Sequence, residues 1–378
     1  MFKLTKKLLT IIIVLIVLFF YMPSFISSIT IFSVNILASS GNYNLSETIC
    51  KKSINITDNI YKFNNTNLYL TLESLYLKQN KIIAAQNILQ TNILTMEKKY
   101  GKHSFEYVNA LNNLIYFYKD YAFINNIEPL AQNIIISFNK NKKLNTLYLA
   151  YIYKDLAIVS CVQNDWDKAQ KYFERAIKIL ETKSKKIQSK NIFIYANIAS
   201  FKLILKQYDE AEKFINRAEE LIKVNSKKPD YSQIAFLYNV KGELYAAKLK
   251  FKEAEKLLIY ALDVTDKNSL LKTRENLYIN LADLYLQKKE DQKAKIILNN
   301  EVNDIEKQSQ KGLFNACILY NAANLYNRLG DKESYMELNK EIVYKLKKIH
   351  NQNFINENFD TYVKNFQTVC SYSRKGLN

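Results

Sequence analysis

The sequence predicts an all-α chain: an α-α superhelix of stacked helical hairpins, preceded by an N-terminal transmembrane or signal-anchor helix. Three observations carry this. A helix-pair register recurs at Ala85, Ile127, Ala169, Ala211, Ala254, Ala294 and Tyr335, with separations of 42, 42, 42, 43, 40 and 41 residues. So even a period marks a repeat array, because one hairpin cannot bury its apolar face alone and must stack on neighbours. Only 6 Gly and 3 Pro occur in 378 residues, which suits helices, whose interiors both residues weaken. Finally, Leu8 to Met22 (LLTIIIVLIVLFFYM) carries no charge.

That apolar run follows Lys3, Lys6 and Lys7 and continues past Pro23 to Ala38. It is short for a bilayer span and also of signal-peptide size. With no Ala-x-Ala pattern close behind it, residues 1–40 read as an uncleaved membrane anchor, with a cleaved signal as the alternative. Basic residues before the run and none after it until Lys51 put the N-terminus in the cytoplasm and the repeats on the far side. Residues 41–65 read as a degenerate capping half-repeat with a thin apolar face of Ile49, Ile56 and Ile60.

Residues 66–350 are the array. The best formed unit is AFLYNVKGELYAAKLKFKEAEKLLIYALDVTDK, Ala235 to Lys267. Tyr238, Gly242 and Tyr245 share one face of a first helix, and Phe251, Ala254, Leu258 and Ala261 share one face of a second. The small Gly242 and Ala254 let two backbones approach, and the aromatics close the seam. The same layout runs through Tyr69, Leu72, Tyr76 with Ala85; Leu111, Leu114, Tyr118 with Ile127; and Tyr153, Leu156, Ala157 with Ala169. It returns at Tyr195, Ala199 with Ala211; Tyr278, Ala282 with Ala294; and Leu319, Ala323 with Tyr335. Ile127 and Tyr335 are bulky where the others are small, so the second and last units are expected to be splayed or capping. Trp166, the only tryptophan, is expected as a wedge between helices. Residues 351–378, with Phe359, Tyr362, Val363 and Phe366, read as a C-terminal capping helix.

This pattern resembles the tetratricopeptide repeat (TPR) family, in particular the kinesin-light-chain type with a period of about 42 residues. The resemblance covers roughly Thr66 to His350 and is most specific in TMEKKYGKHSFEYVNALNNLIYFY, Thr95 to Tyr118. Asn197-Ile198-Ala199, Asn280-Leu281-Ala282 and Asn321-Ala322-Ala323 repeat the family's marks. It implies a stack whose first helices line a concave groove, with asparagines there holding the backbone of a bound peptide.

The net charge is +18, from 54 basic and 36 acidic residues, but only five of the basic residues are Arg. Lysine lacks the bidentate fork that reads bases and phosphates, and the lysines are spread over every unit, so a nucleic-acid partner is disfavoured. The four cysteines, Cys50, Cys161, Cys317 and Cys370, lack metal-ligand spacing, so neither zinc nor a disulfide framework is expected. His103 and His350 read as loop residues. No phosphate loop, HExxH or nucleophile elbow occurs, so no enzymatic activity and no cofactor is expected.

The position two residues before the small residue of each first helix reads Asn113, Asp155, Asn197, Val240, Asn280 and Asn321. An asparagine offers both donor and acceptor, so such a ladder can hold an extended peptide's backbone or, equally, tie neighbouring helices together. Asn112, Tyr116, Lys154, Asn239 and Tyr320 are the adjoining groove candidates. The expected function is a membrane-tethered scaffold that binds a protein or peptide in the groove, an acidic one in view of the net charge. The alternatives are a secreted or periplasmic cell-envelope assembly factor, or a regulatory repeat protein binding a signalling peptide or nucleic acid.

Overall fold

A computed structural model describes residues 22–61, 63–144, 146–189, 191–224, 229–268, 270–307, 313–350 and 359–374. The apolar run Leu8–Met22 lies outside the described residues except for Met22. Among the described residues the regular elements are helical. They are α1 (Met22–Ser39), α2 (Tyr43–Asn59), α3 (Thr66–Lys78), α4 (Ile82–Tyr100), α5 (Phe105–Asp120) and α6 (Ile127–Lys140). Then come α7 (Thr146–Val162), α8 (Trp166–Glu181), the one-turn α9 (Lys185–Gln188), α10 (Ile192–Ile204), α11 (Tyr208–Val224), α12 (Tyr231–Ala247) and α13 (Phe251–Lys267). The last are α14 (Leu271–Gln287), α15 (Asp291–Lys307), α16 (Leu313–Arg328), α17 (Lys332–His350) and α18 (Phe359–Arg374).

The hairpin turns repeat atom for atom. At Asn80, Ala122, Asn164, Lys206, Leu249, Lys289 and Gly330, φ lies between 55° and 77°, each time five residues before an anchor. In each, the N–H of that residue donates to the carbonyl three residues back and the next N–H to the carbonyl five back, as Leu249 does to Ala246 and Lys250 to Tyr245. This is a Schellman closure, which satisfies carbonyls that a helix end leaves unpaired. All anchors except Tyr335 are buried, and Ala85, Ala169, Ala211, Ala254 and Ala294 have no exposed surface. Beside Ala254 the backbones are close enough that a Cβ on Gly242 would meet Leu258 Cδ2 at 3.0 Å. Ile127 is accommodated behind an extra 3-10 turn, Ile124–Asn126.

The chain divides into two compact units. One comprises the residues up to Phe117 with Ile136–Leu144, the other Tyr118–Ile135 with Asn145 onward, and the division runs through the second hairpin.

In the first unit, α1 and α2 form a further hairpin. Gly41 has φ 82°, with the same two closure bonds, and Ser46 follows five residues on, fully buried at the anchor place. Ser27, Thr30, Val34 and Ala38 make a buried stripe on α1, and Thr30 Oγ1 lies 2.7 Å from Ser53 Oγ on α2. The segment read as a half-repeat over 41–65 therefore has its first helix in residues assigned by sequence to the anchor. α1 is long and apolar enough to cross a membrane by length and composition. Its partner α2 carries Glu47, Lys51, Lys52 and Asp58, and charges of this kind are costly in hydrocarbon. Asp58 knits the unit, accepting from Tyr69 Oη (2.6 Å), Asn65 Nδ2 (2.8 Å) and Lys99 Nζ (2.5 Å).

In the second unit the first helices α7, α10, α12, α14 and α16 pack side by side in chain order, each with its second helix behind it. The core around Ala254, Leu258, Leu277, Leu281 and Ala294 is continuous across hairpins. α18 stands apart from this alternation. It lies against the first helices α7, α14 and α16 and touches α17.

Candidate peptide-binding groove

The face of the second unit formed by first helices presents, from α16, Cys317, Tyr320 and Asn321, which lie three and four residues apart and so share a side. α18 answers with Tyr362, Phe366 and Cys370, buried at every fourth residue, and Arg374 in the next place. Tyr320 and Phe366 meet edge to face at 6.0 Å. Asn321 Nδ2 donates to Cys370 O at 3.1 Å, and Asn280 Nδ2 donates to Arg374 O at 3.0 Å. The second bond satisfies one of the carbonyls left open at the C-terminus of α18.

Cys317 and Cys370 are disulfide-bonded, with Cα atoms 5.1 Å apart across 53 residues of sequence. The expectation of no disulfide is corrected here. Spacing along the chain says nothing about a bond whose geometry is made by α18 folding back onto α16. Cys50 and Cys161 are free, and burial pushes both thiols up to about 12.

Electrostatics fix the end of α18. Asp283, buried on α14, is paired with Arg374 at 3.0 Å and with Arg328. Burial alone would raise its carboxyl, but the two guanidinium charges outweigh that and hold it below the ordinary range. A cavity of about 230 Å³ continues from this point, lined by Gly242, Glu243, Asn280, Asp283, Gln287 and Arg374. Asn280 Oδ1 is buried without a hydrogen-bond partner. At its other end α18 reaches the second hairpin's turn, where Tyr362 Oη donates to Tyr121 O at 3.3 Å and its ring packs 5.8 Å from Phe123. Trp166, expected as a wedge between helices, faces Tyr372 of α18 edge-on at 6.2 Å.

The sequence-derived positions separate into groups. Asn280, Tyr320 and Asn321 touch α18. Asn239 Oδ1 accepts from Asn280 at 2.8 Å, joining α12 to α14. Asn197 is fully buried and donates to Phe193 O of its own helix at 2.7 Å. Lys154 and Asp155 are buried as a triad with Lys119, at 2.9 and 2.7 Å from Asp155 Oδ1. Burial lowers Lys154 to about 8 against the pull of Asp155. For Asp155 burial works upward, and the charges of Lys119 and Lys154 overcome it and lower its pKa. Lys154 also lies 5.5 Å over the Phe193 ring. Asn112, Asn113 and Tyr116 belong to the first unit, the first two buried or partly buried and Tyr116 exposed. His103 is a loop link, its carbonyl accepting from Asn141 Nδ2 at 2.7 Å. His350 packs on Phe359 and Tyr362 at 5.3 and 5.9 Å. Asp283, Arg374 and the Cys317–Cys370 pair were not singled out from the sequence. The four-residue recurrence of Tyr362, Phe366, Cys370 and Arg374 was the one signal available for them. Among the described residues no group of three or more His, Cys, Asp or Glu is arranged to hold a metal.

No protein-family model and no curated protein matches the chain. Several solved structures are similar. BtubC (BKLC) from P. vanneervenii is 19% identical, with 59% of this chain and 89% of that one covered and a TM-score of 0.45. A Rap protein complexed with competence and sporulation factor is 13% identical, covering 86% and 99%, TM-score 0.45. A tetratricopeptide repeat protein from Parabacteroides merdae is 13% identical, covering 79% and 97%, TM-score 0.39. The assignment itself comes from this chain's own repeated hairpin, small-residue anchor and left-handed closure: its fold is a stack of tetratricopeptide-like helical repeats.

Proposed function

We propose that this chain is a non-catalytic protein-interaction scaffold that takes a peptide segment of a partner on the face formed by the first helices of its second unit. The observation that carries the reading is the pair of bonds from Asn280 and Asn321 to main-chain carbonyls of α18. These amides hold backbone rather than side chain, which is what recognition of another chain's segment requires. The charge facing the segment's end is the Asp283 carboxylate, already meeting a guanidinium, so a basic residue suits this place better than the acidic one expected from net charge. A photo-crosslinking amino acid at Tyr320, and for contrast at the exposed Tyr344 on α17, tests the surface in cells with and without dithiothreitol, because α18 and its disulfide to α16 cover Tyr320. A discrete higher-mass adduct from Tyr320 alone is expected; adducts from neither position, or only from Tyr344, would remove the reading.

The scaffold is proposed to be tethered by the Leu8–Met22 run, with the repeats outside the cytoplasm. The exposed Phe25, Ile29, Phe32 and Ile36 of α1 continue the apolar character of that run, and a disulfide between α16 and α18 suits an oxidising compartment. Quantitative release from membranes by carbonate would exclude the tether. The mass of the mature chain then separates it from a secreted or periplasmic form.

A further inference from the structure

Resting on the scaffold reading, we infer that α18 is a built-in occupant of the partner's place, so that its surface chemistry specifies the ligand and the Cys317–Cys370 disulfide controls access. The ligand is an amphipathic helix with aromatic, aromatic, small and basic residues at four-residue spacing, copying Tyr362, Phe366, Cys370 and Arg374. Each place has its own receptor. Tyr362 fits between Phe123 and the Tyr121 carbonyl, and Phe366 lies on Tyr320. The small third residue lets its carbonyl reach Asn321, and the basic fourth meets Asp283 while its carbonyl accepts from Asn280. An aromatic stripe at i, i+4 is the usual form of a helix laid in a groove.

A helix bonded covalently to the wall of its groove cannot be displaced by a competitor, whatever the competitor's affinity. Once the bond is opened, α18 is an ordinary intramolecular ligand, held at an effective concentration in the millimolar range. A dithiol supplies the chemistry. One of its thiolates attacks a cystine sulfur, the S–S bond breaks, and the second thiol resolves the mixed disulfide. The dithiol leaves as its cyclic disulfide, having given two electrons, and Cys317 and Cys370 each gain a proton.

The full chain is examined oxidised and after reduction with dithiothreitol. Amide exchange of 359–374 is expected to quicken at least tenfold on reduction, with α13 unchanged. The probe is a fluorescent peptide of residues 359–374 bearing Cys370→Ser, followed by anisotropy up to about 1 mM, the range set by that effective concentration. It should bind the reduced chain at least tenfold more tightly than the oxidised one, and the same peptide with Phe366→Asp should not bind. The full-length variant Cys370→Ser should behave without reductant as the reduced chain does; should it fail to fold, the reduced natural chain still decides. Unchanged exchange of α18 on reduction, or equal peptide affinity in both states, overturns the gate. Opening of α18 without peptide binding overturns the ligand class. Neither result touches the scaffold reading, which fails only on its own crosslinking test.

Discussion

Asn280 serves two neighbours at once, giving one N–H to Asn239 of the preceding first helix and the other to the end of α18. The sequence pattern left open whether the amides bind ligand or tie helices together, and here one side chain does both. Its replacement leaves two acceptors unpaired, one buried and one partly buried, so Asn280→Ala should lower stability by about 1–3 kcal/mol, measured by urea unfolding; an unchanged midpoint would mean those bonds do not form. Asn197 looked identical in sequence, yet its amide donates to Phe193 O of its own helix. Periodicity assigns a residue to a face but not its amide to a partner, which depends on what arrives from a distant part of the chain. Glu301 makes the same point with charge. Burial first, and the nearby Glu275 second, raise its carboxyl to about 8, with Arg274 opposing. The folded chain therefore holds a proton that the unfolded chain has released, and stability should fall as pH rises from about 4.5 to about 8 and then level off. Glu301→Gln, neutral throughout, should flatten that part of a Tm-against-pH curve.

The helical hairpin was the most legible element, because close backbone approach demands small residues that stand out at Gly242 and Ala254. Ala254 has no exposed surface, and Ala254→Leu should cost about 1–3 kcal/mol by overpacking; a stability change within error would mean that the crossing point lies elsewhere. The left-handed closure was less legible, since lysine, leucine and alanine occupy a place usually marked by glycine. Leu249, largely exposed with φ 60°, gains nothing from its side chain there. Left-handed strain of about 1–2 kcal/mol, set against glycine's entropic cost of about 0.5–1 kcal/mol, makes Leu249→Gly stabilising by roughly 0.5–1 kcal/mol. A lowered urea midpoint would show that Leu249 contributes contacts. α1 was legible on one face only. Its outward Phe and Ile residues give it the composition of a membrane helix, while the Ser27, Thr30 and Ala38 stripe that packs on α2 carries little hydropathy and is easily overlooked.

In a simple stack each hairpin contacts only its neighbours, so stability is a sum of local terms and unfolding can spread from either end. The second unit departs from this because α18 links distant parts of it. The Tyr362 hydroxyl and the Tyr121 carbonyl are 241 residues apart in sequence, and the same helix reaches α14 and α16. No repeat period encodes such a contact, and none of the residues in it is unusual on its own, so the sequence showed an amphipathic end helix but not where it docks. The consequence is cooperativity. A helix that touches the early and late hairpins of the unit is lost when any of them opens, which couples them into one transition. Phe366 is almost fully buried at the centre of this contact, and truncating such a ring removes about 3–5 kcal/mol. Phe366→Ala in the reduced chain should therefore lower the urea midpoint and also reduce the m-value, because the hairpins then unfold in separate steps instead of exposing their surface together. The far-ultraviolet transition should broaden, while conservative Phe366→Leu keeps it sharp. A midpoint shift with the m-value intact would mean that the hairpins are coupled through their own interfaces, and that α18 adds stability without adding cooperativity.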